Sequence, residues 1–192
     1  MPNIVRLRSE FVRPASATQY TAGDEVSNHA TAGSVVRATF DMRGLEIGKI
    51  LAAEIDLTAA SSNVVTTASD LELLIFRTSD APAAVGDNVT HPIAAATRAL
   101  AVARFRFDDT GWTGPLGTVA AGTSQVQAVL PTLVQPLASN VPESPVYGAS
   151  YAFNGTPLTE AGRSFTAVLR AIAAWNPGNV ANTFGITLDI EV

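Results

Sequence analysis

The segment Thr183 to Val192 alternates without a break: Phe184, Ile186, Leu188, Ile190 and Val192 fall on one side, and Thr187, Asp189 and Glu191 on the other. A period of two is the side-chain period of a β-strand with one face in a core and the other in water. The same signature recurs along the chain. Phe165, Ala167, Leu169 and Ala171 alternate with Thr166 and Arg170 in Arg163 to Ala173. Lys49, Leu51, Ala53, Ile55 and Leu57 alternate with Glu54, Asp56 and Thr58, and Leu71, Leu73 and Ile75 stand against Glu72 and Leu74, closing at Phe76. Further strands are predicted at Ile4 to Val12, Gly33 to Phe40, Ala99 to Phe107, Gln125 to Leu130 and Val146 to Phe153, with a short one near Tyr20 to Val26. About nine or ten strands are too many for one open sheet and natural for two packed ones. The expected fold is therefore all-β: a single-domain antiparallel β-sandwich, jelly-roll-like, with long Gly/Pro-rich loops.

The turn residues Trp175-Asn176-Pro177-Gly178-Asn179 join the last two strands, which predicts a C-terminal hairpin with a wide loop. The one segment that competes for helix is Pro92 to Ala101, which opens on Pro and is rich in Ala. Asp108 to Ser124 and Pro131 to Pro145 read as extended loops, and loops of such length are commonly contact surfaces. Residues 1–18 form an N-terminal arm or edge strand, and 19–192 the sandwich domain.

A length of 192 residues suits one domain with a real core, and the absence of cysteine leaves its stability to packing and partners. The formal charge of −5 argues against a broad phosphate-binding surface, so nucleic acid is not an expected partner. No run approaches the roughly 18 uncharged apolar residues of a membrane span, and the first residues lack the apolar core of a signal peptide. Charged residues make up only 15% of the chain against a usual value of about 25%, which predicts that some apolar surface faces another protein.

Residues suited to catalysis are sparse. There is no G-x-S-x-G elbow, and the histidines are His29 and His91, both predicted on surface loops and too far apart for zinc-ligand spacing. Asp108-Asp109 is the obvious carboxylate pair for glycoside hydrolysis, but adjacent strand residues point opposite ways, and before Thr110-Gly111-Trp112 they read as a turn. Asp87 with that pair could bind Ca²⁺, yet no EF-hand-like spacing is present. No cofactor, no metal and no enzymatic activity are expected.

The candidate interface residues are Arg6, Arg8, Arg13, Trp112 and Trp175. The arginines, set against Glu10, either reach an acidic neighbouring subunit or face water along an edge strand. Each tryptophan lies in a Gly- or Pro-containing loop, where it either anchors an interface or sugar, or folds back over an end of the core.

The order of the segments carries a resemblance. Tyr20-Thr21-Ala22-Gly23-Asp24 is followed by the run Ser34 to Phe40, then Gly48-Lys49-Ile50 leading a long strand. Leu71-Glu72-Leu73-Leu74-Ile75-Phe76, the pair Asp87-Asn88, and Tyr147-Gly148-Ala149 before two final strands complete the succession. From about residue 20 to the end, this resembles a group of small β-sandwich virion structural proteins of tailed bacteriophages. It departs from their pattern at Glu25-Val26-Ser27-Asn28-His29, where the family often has a Gly shortly after the Gly-Asp turn, so a differently shaped loop is expected there. The resemblance implies a place on the capsid surface as a decoration (cement) protein, with the major capsid protein as partner and a homo-oligomeric state, a trimer being one arrangement. A minor tail, collar or head-fibre component and a carbohydrate-binding adhesion module are the alternatives. No catalytic residue is carried over.

Overall fold

The computed structural model describes residues 3–16, 18–41, 48–59, 63–65, 70–108, 112, 117–119, 124–129, 152–153 and 164–191. Among them the chain forms β1 (Ile4–Arg13), β2 (Glu25–Val26), β3 (Thr39–Asp41), β4 (Gly48–Ala59), β5 (Asn63–Val65) and β6 (Leu71–Arg77). After a four-residue helix α1 (Ala95–Arg98) come β7 (Ala103–Phe107), β8 (Gly117–Val119), β9 (Ser124–Val129), β10 (Ala152–Phe153), β11 (Ser164–Ala171) and β12 (Asn182–Glu191).

One sheet has the order β1-β12-β4, with β9 and β10 both pairing β4. The other has the order β2-β11-β6-β7, with β3 also on β11. Every pairing is antiparallel. Strands β2 and β3 are two pieces of one strand: β2 lies against Leu169 and Arg170, and β3 against Ser164 to Thr166. Counting them together and setting aside β5 and β8, the chain visits the sheets in the sequence first, second, first, second, second, first, first, second, first, with β9 and β10 the two successive visits to the first sheet. The opposed orders β1-β12-β4-β9 and β2/β3-β11-β6-β7 are those of a jelly roll, two Greek keys folded on each other. The small pair β5 and β8 joins the connections after β4 and after β7.

The alternation read from the sequence supplies the core. Phe184, Ile186, Leu188 and Ile190 from β12 and Ile50, Ala53, Ile55 and Leu57 from β4 face Leu71, Leu73, Ile75, Phe105, Phe107, Phe165 and Leu169 of the other sheet in one buried cluster. On β4 the phase slips. Asp189 pairs with Ala52 but Ile190 with Ile50, so Leu51 is an extra residue in the ladder. This bulge buries Ile50 and leaves Leu51 half-buried, the reverse of what uninterrupted alternation predicts.

Three other expectations are corrected. The last two strands are not a hairpin: β11 pairs β2, β3 and β6, while β12 pairs β1 and β4 in the opposite sheet. Turn residues bend a chain equally well between two sheets as within one, so the turn could not discriminate. Gly33 to Phe40 is a strand only at its end, because Ala32–Ser34 is a 3-10 turn and the run 27–38 loops out between β2 and β3. The predicted loop Asp108 to Ser124 contains β8. Helix α1 falls inside Pro92 to Ala101, as expected. Pro131 to Pro145, Tyr147-Gly148-Ala149 and most of Val146 to Phe153 lie outside the described residues.

The connection from β6 to β7, residues 78–102, lies on the outer face of the second sheet. Ala81, Ile93 and Ala101 cover Leu74, Phe76 and Val168, which point away from the main core. Strand β6 is consequently buried on both faces from Leu71 to Phe76. Thr90 in this cover bridges to Asp24, and the Val102 amide returns it to Ile75 O at 2.7 Å.

Candidate functional site

Arg6 and Arg8 project from β1 onto the outer face of the first sheet, and both are paired within the chain. Arg6 Nε reaches Asp189 at 2.9 Å and its Nη2 reaches Glu54 at 3.3 Å. Arg8 crosses β12 to grip Asp56 through both terminal nitrogens, the Nη2 to Oδ1 bond being 3.1 Å, and lies 3.6 Å from Glu10. The hydrogen bond to Asp56 raises the pKa of this guanidinium, against a smaller opposing effect of burial. Gly185 makes the crossing possible, because a Cβ there would collide with the Arg8 guanidinium and the Asp56 carboxylate.

Arg13 is a different case. It is fully buried, donating from Nε to Tyr20 Oη at 2.8 Å and from its terminal nitrogens to Ser16 O at 2.9 Å and Val180 O at 3.3 Å. Its guanidinium carbon also sits 5.4 Å from the centre of the Tyr20 ring. The same parity that sends Arg6 and Arg8 outward places Phe11 and Arg13 on the inward side, where both are buried, so this side chain serves the interior. Trp175 is interior as well, 1% exposed, stacked on Tyr20 at 5.3 Å and edge-on to Phe184 at 6.1 Å. Trp112 is half-buried and packs against Phe107 at 6.3 Å. The five candidates are therefore scattered over an outer face, a buried knot and the core.

The segments that carried the resemblance do converge. The Tyr20 hydroxyl donates to Asp87 Oδ1 at 2.5 Å, and the Ser27 amide donates to the same oxygen at 3.0 Å. Asp24 accepts from the Thr21 amide at 2.7 Å and from the Thr90 hydroxyl at 2.8 Å, and the Asn88 amide donates to Glu25 O at 2.9 Å. Gly23 and Asn88 both hold positive φ, 95° and 57°, a conformation that Gly and Asn tolerate best. Burial raises the pKa of Asp87 despite the Ser27 and Tyr20 hydrogen bonds and the charge of Arg13. Burial, reinforced by the charge of Asp87, also raises that of Tyr20.

Beside this knot lie two buried carboxylates. Glu25 is clamped by Arg37 at 2.7 and 2.9 Å, accepts from the Val85 amide at 3.3 Å and stands 2.9 Å from His91 Nδ1. Burial alone would raise its pKa; the hydrogen bonds from His91 and Arg37 outweigh it and hold the carboxyl at about 2. Glu72 is met by Arg170, by Arg104 at 2.5 Å and by Arg98 at 3.4 Å. Arg170 also donates to His91 O at 3.0 Å, so the two clusters form one network under residues 78–102. His91, predicted on the surface, is 5% exposed, whereas His29 is exposed as predicted. Sequence reasoning placed His91 on a surface loop and singled out neither Glu25 with Arg37 nor Glu72 with Arg170. Their partners lie far along the chain, whereas the neighbouring knot left a sequence signal in Tyr20 to Asp24 and Asp87-Asn88.

These groups are oriented toward one another. Among the described residues no group of three or more His, Cys, Asp or Glu could hold a metal ion. No family model matches the sequence, and no curated protein does. Solved structures similar to the chain include the semi-empty virus-like particle of the nodavirus of the giant freshwater prawn Macrobrachium rosenbergii, at 10% identity and TM-score 0.32. A second is the 60-mer BFDV capsid protein, at 10% identity and TM-score 0.34; each likeness covers 99% of this chain and 92% of the other. A third is the infectious bursal disease virus VP2 subviral particle, at 12% identity and TM-score 0.26, covering all of this chain and 42% of the other. The jelly-roll assignment rests on the strand order itself.

Proposed function

We propose that this chain is a non-enzymatic structural protein of a tailed-phage particle, a decoration (cement) protein that binds the major capsid protein on the outside of the assembled shell as a homo-oligomer. One observation carries the reading. The positions through which the sequence resembles virion proteins, Tyr20 to Asp24 and Asp87-Asn88, meet in one buried polar knot whose hydrogen bonds are made to one another. A shared pattern spent on holding a fold is what a structural protein family would keep. A ligand that binds only the assembled shell stabilises that shell by its own binding free energy, so many copies of a modest contact resist internal pressure. Nucleic acid, membrane and cofactor have no part in this reading.

The carbohydrate-binding alternative needs an aromatic platform open to solvent, and the burial of Trp175 with the half-burial of Trp112 against Phe107 speaks against these two residues forming one. Placement in tail, collar or head fibre differs from decoration in stoichiometry. Quantitative mass spectrometry of purified particles, counting this chain against the major capsid protein, is the test. Copies comparable to those of the shell subunit are expected; a handful per particle moves the protein to tail or collar, and absence discards the virion reading.

A further inference from the structure

Strand β1 is an edge: among the described residues it pairs with β12 on one side and with no strand in its own sheet on the other. Its inner corner is held by the Thr39 amide donating to Ser9 Oγ at 3.2 Å. Its outward residues are Ile4, Arg6, Arg8, Glu10 and Val12. An edge is ordinarily guarded against strand addition by charge. Here the guarding charges are already answered within the sheet, Arg6 by Asp189 and Glu54, and Arg8 by Asp56 and Glu10. The two ends of the row are large apolar side chains facing water, Ile4 at 57% and Val12 at 53% exposure.

Read backwards, the row complements itself. Opposed residues of an antiparallel pair point to the same face, so a two-fold axis must pass through a residue rather than between two. With the axis at Arg8, Ile4 lies opposite Val12 of the other copy, Arg6 opposite Glu10, and every position from Ile4 to Val12 is paired. With the axis at Ser9, Arg6 faces Val12 and Ile4 faces Pro14. With the axis at Leu7, Arg6 faces Arg8 and Ile4 faces Glu10. The Arg8 axis alone matches apolar with apolar and cation with anion. Its one like-charge contact, Arg8 against Arg8, is relieved by Asp56 in each copy and by Glu10 of the other copy on the diagonal.

We propose that β1 pairs with β1 of a second copy, antiparallel and with the two-fold axis at Arg8, joining the first sheets of two molecules into one continuous sheet. The contact is isologous and uses backbone hydrogen bonds for strength and the outward row for register. It stands whether or not the chain belongs to a virion.

Sedimentation velocity on the full chain, run up to its solubility limit, should show a species of twice the chain mass. Val12→Lys places a charge where the side chain already faces water, so folding should persist while self-association weakens by about tenfold or more, the substitution appearing twice per contact. Because the chain has no cysteine, Arg8→Cys gives a clean register test. Opposed Cα atoms about 4.5–5.5 Å apart fall in the range a disulfide spans. Oxidised R8C should form a covalent dimer, and E10C, which faces Arg6, should not. A chain that stays monomeric, an oligomer that V12K leaves intact, a failure of R8C to link, or a link through E10C overturns the proposal.

Discussion

Gly86 holds φ at 110°, and a Cβ on it would run into the backbone carbonyl of Ala30. Neither the strain nor the collision can be relieved by a side-chain rotation. Gly86→Ala should therefore cost about 2 kcal/mol or more, read as a fall in the urea midpoint. Gly33, with nothing within 4 Å of its added Cβ, should tolerate the same change within about 0.5 kcal/mol. Equal losses at the two sites would show that backbone geometry is not the cause. Trp175 makes a second residue-scale case. Its ring is packed between Tyr20 and Phe184, but its indole Nε1 has no hydrogen-bond partner among the described residues. Trp175→Phe removes a buried, unanswered donor with little of the ring contact, and should cost under about 2 kcal/mol, against about 3–5 for Trp175→Ala. A phenylalanine variant as damaged as the alanine one would mean that the nitrogen is bonded after all.

At the scale of elements, the cover formed by residues 78–102 is tied down by ions, and pH should reveal it. Glu25 ionises at about 2 in the folded chain against an ordinary value of 4.5. A depressed carboxyl stabilises the fold above its unfolded value and loses that contribution as pH falls through the folded one. The window is therefore pH 4.5 down to about 2, and the contribution is about 3 kcal/mol. Asp87 works in the opposite sense, since its raised value favours the fold only while it is protonated, and that contribution is lost as pH rises. In Glu25→Gln, denaturation midpoints should be lower at neutral pH and should fall less steeply through the acid window. An unchanged acid slope would assign the acid sensitivity to other carboxylates. The sequence shows α1 of this cover only as Ala- and Pro-rich chain, because the residues that fix it to the sheet, Glu25, Glu72 and Arg170, come from β2, β6 and β11.

For the whole molecule, the first strand decides whether residues 1–18 are an appendage or part of the domain. Phe11 stacks on Phe184 at 5.3 Å, and Arg13 fills the space between Tyr20 and the turn before β12. Removing residues 1–13 would open the edge of β12 over its whole length and empty part of the core. The shortened chain should show no cooperative thermal transition, whereas a detachable arm would leave the melting of 19–192 nearly unchanged. Differential scanning calorimetry separates the two.

What the sequence by itself determined is parity. Apolar alternation in β12, β11, β6 and most of β4 named the core residues correctly, since successive side chains of a strand point to opposite faces and one of those faces meets the other sheet. It also established the all-β class and the turns between strands. Parity says nothing about which strand lies beside which. That β11 and β12 belong to opposite sheets, that Leu51 bulges and resets the phase, and that Arg13 and His91 are interior follow from pairings between residues distant in the chain. The convergence of Tyr20, Asp24 and Asp87 has the same origin. Only the tertiary structure decided these, because hydrogen-bond partners and burial are properties of where the chain returns in space.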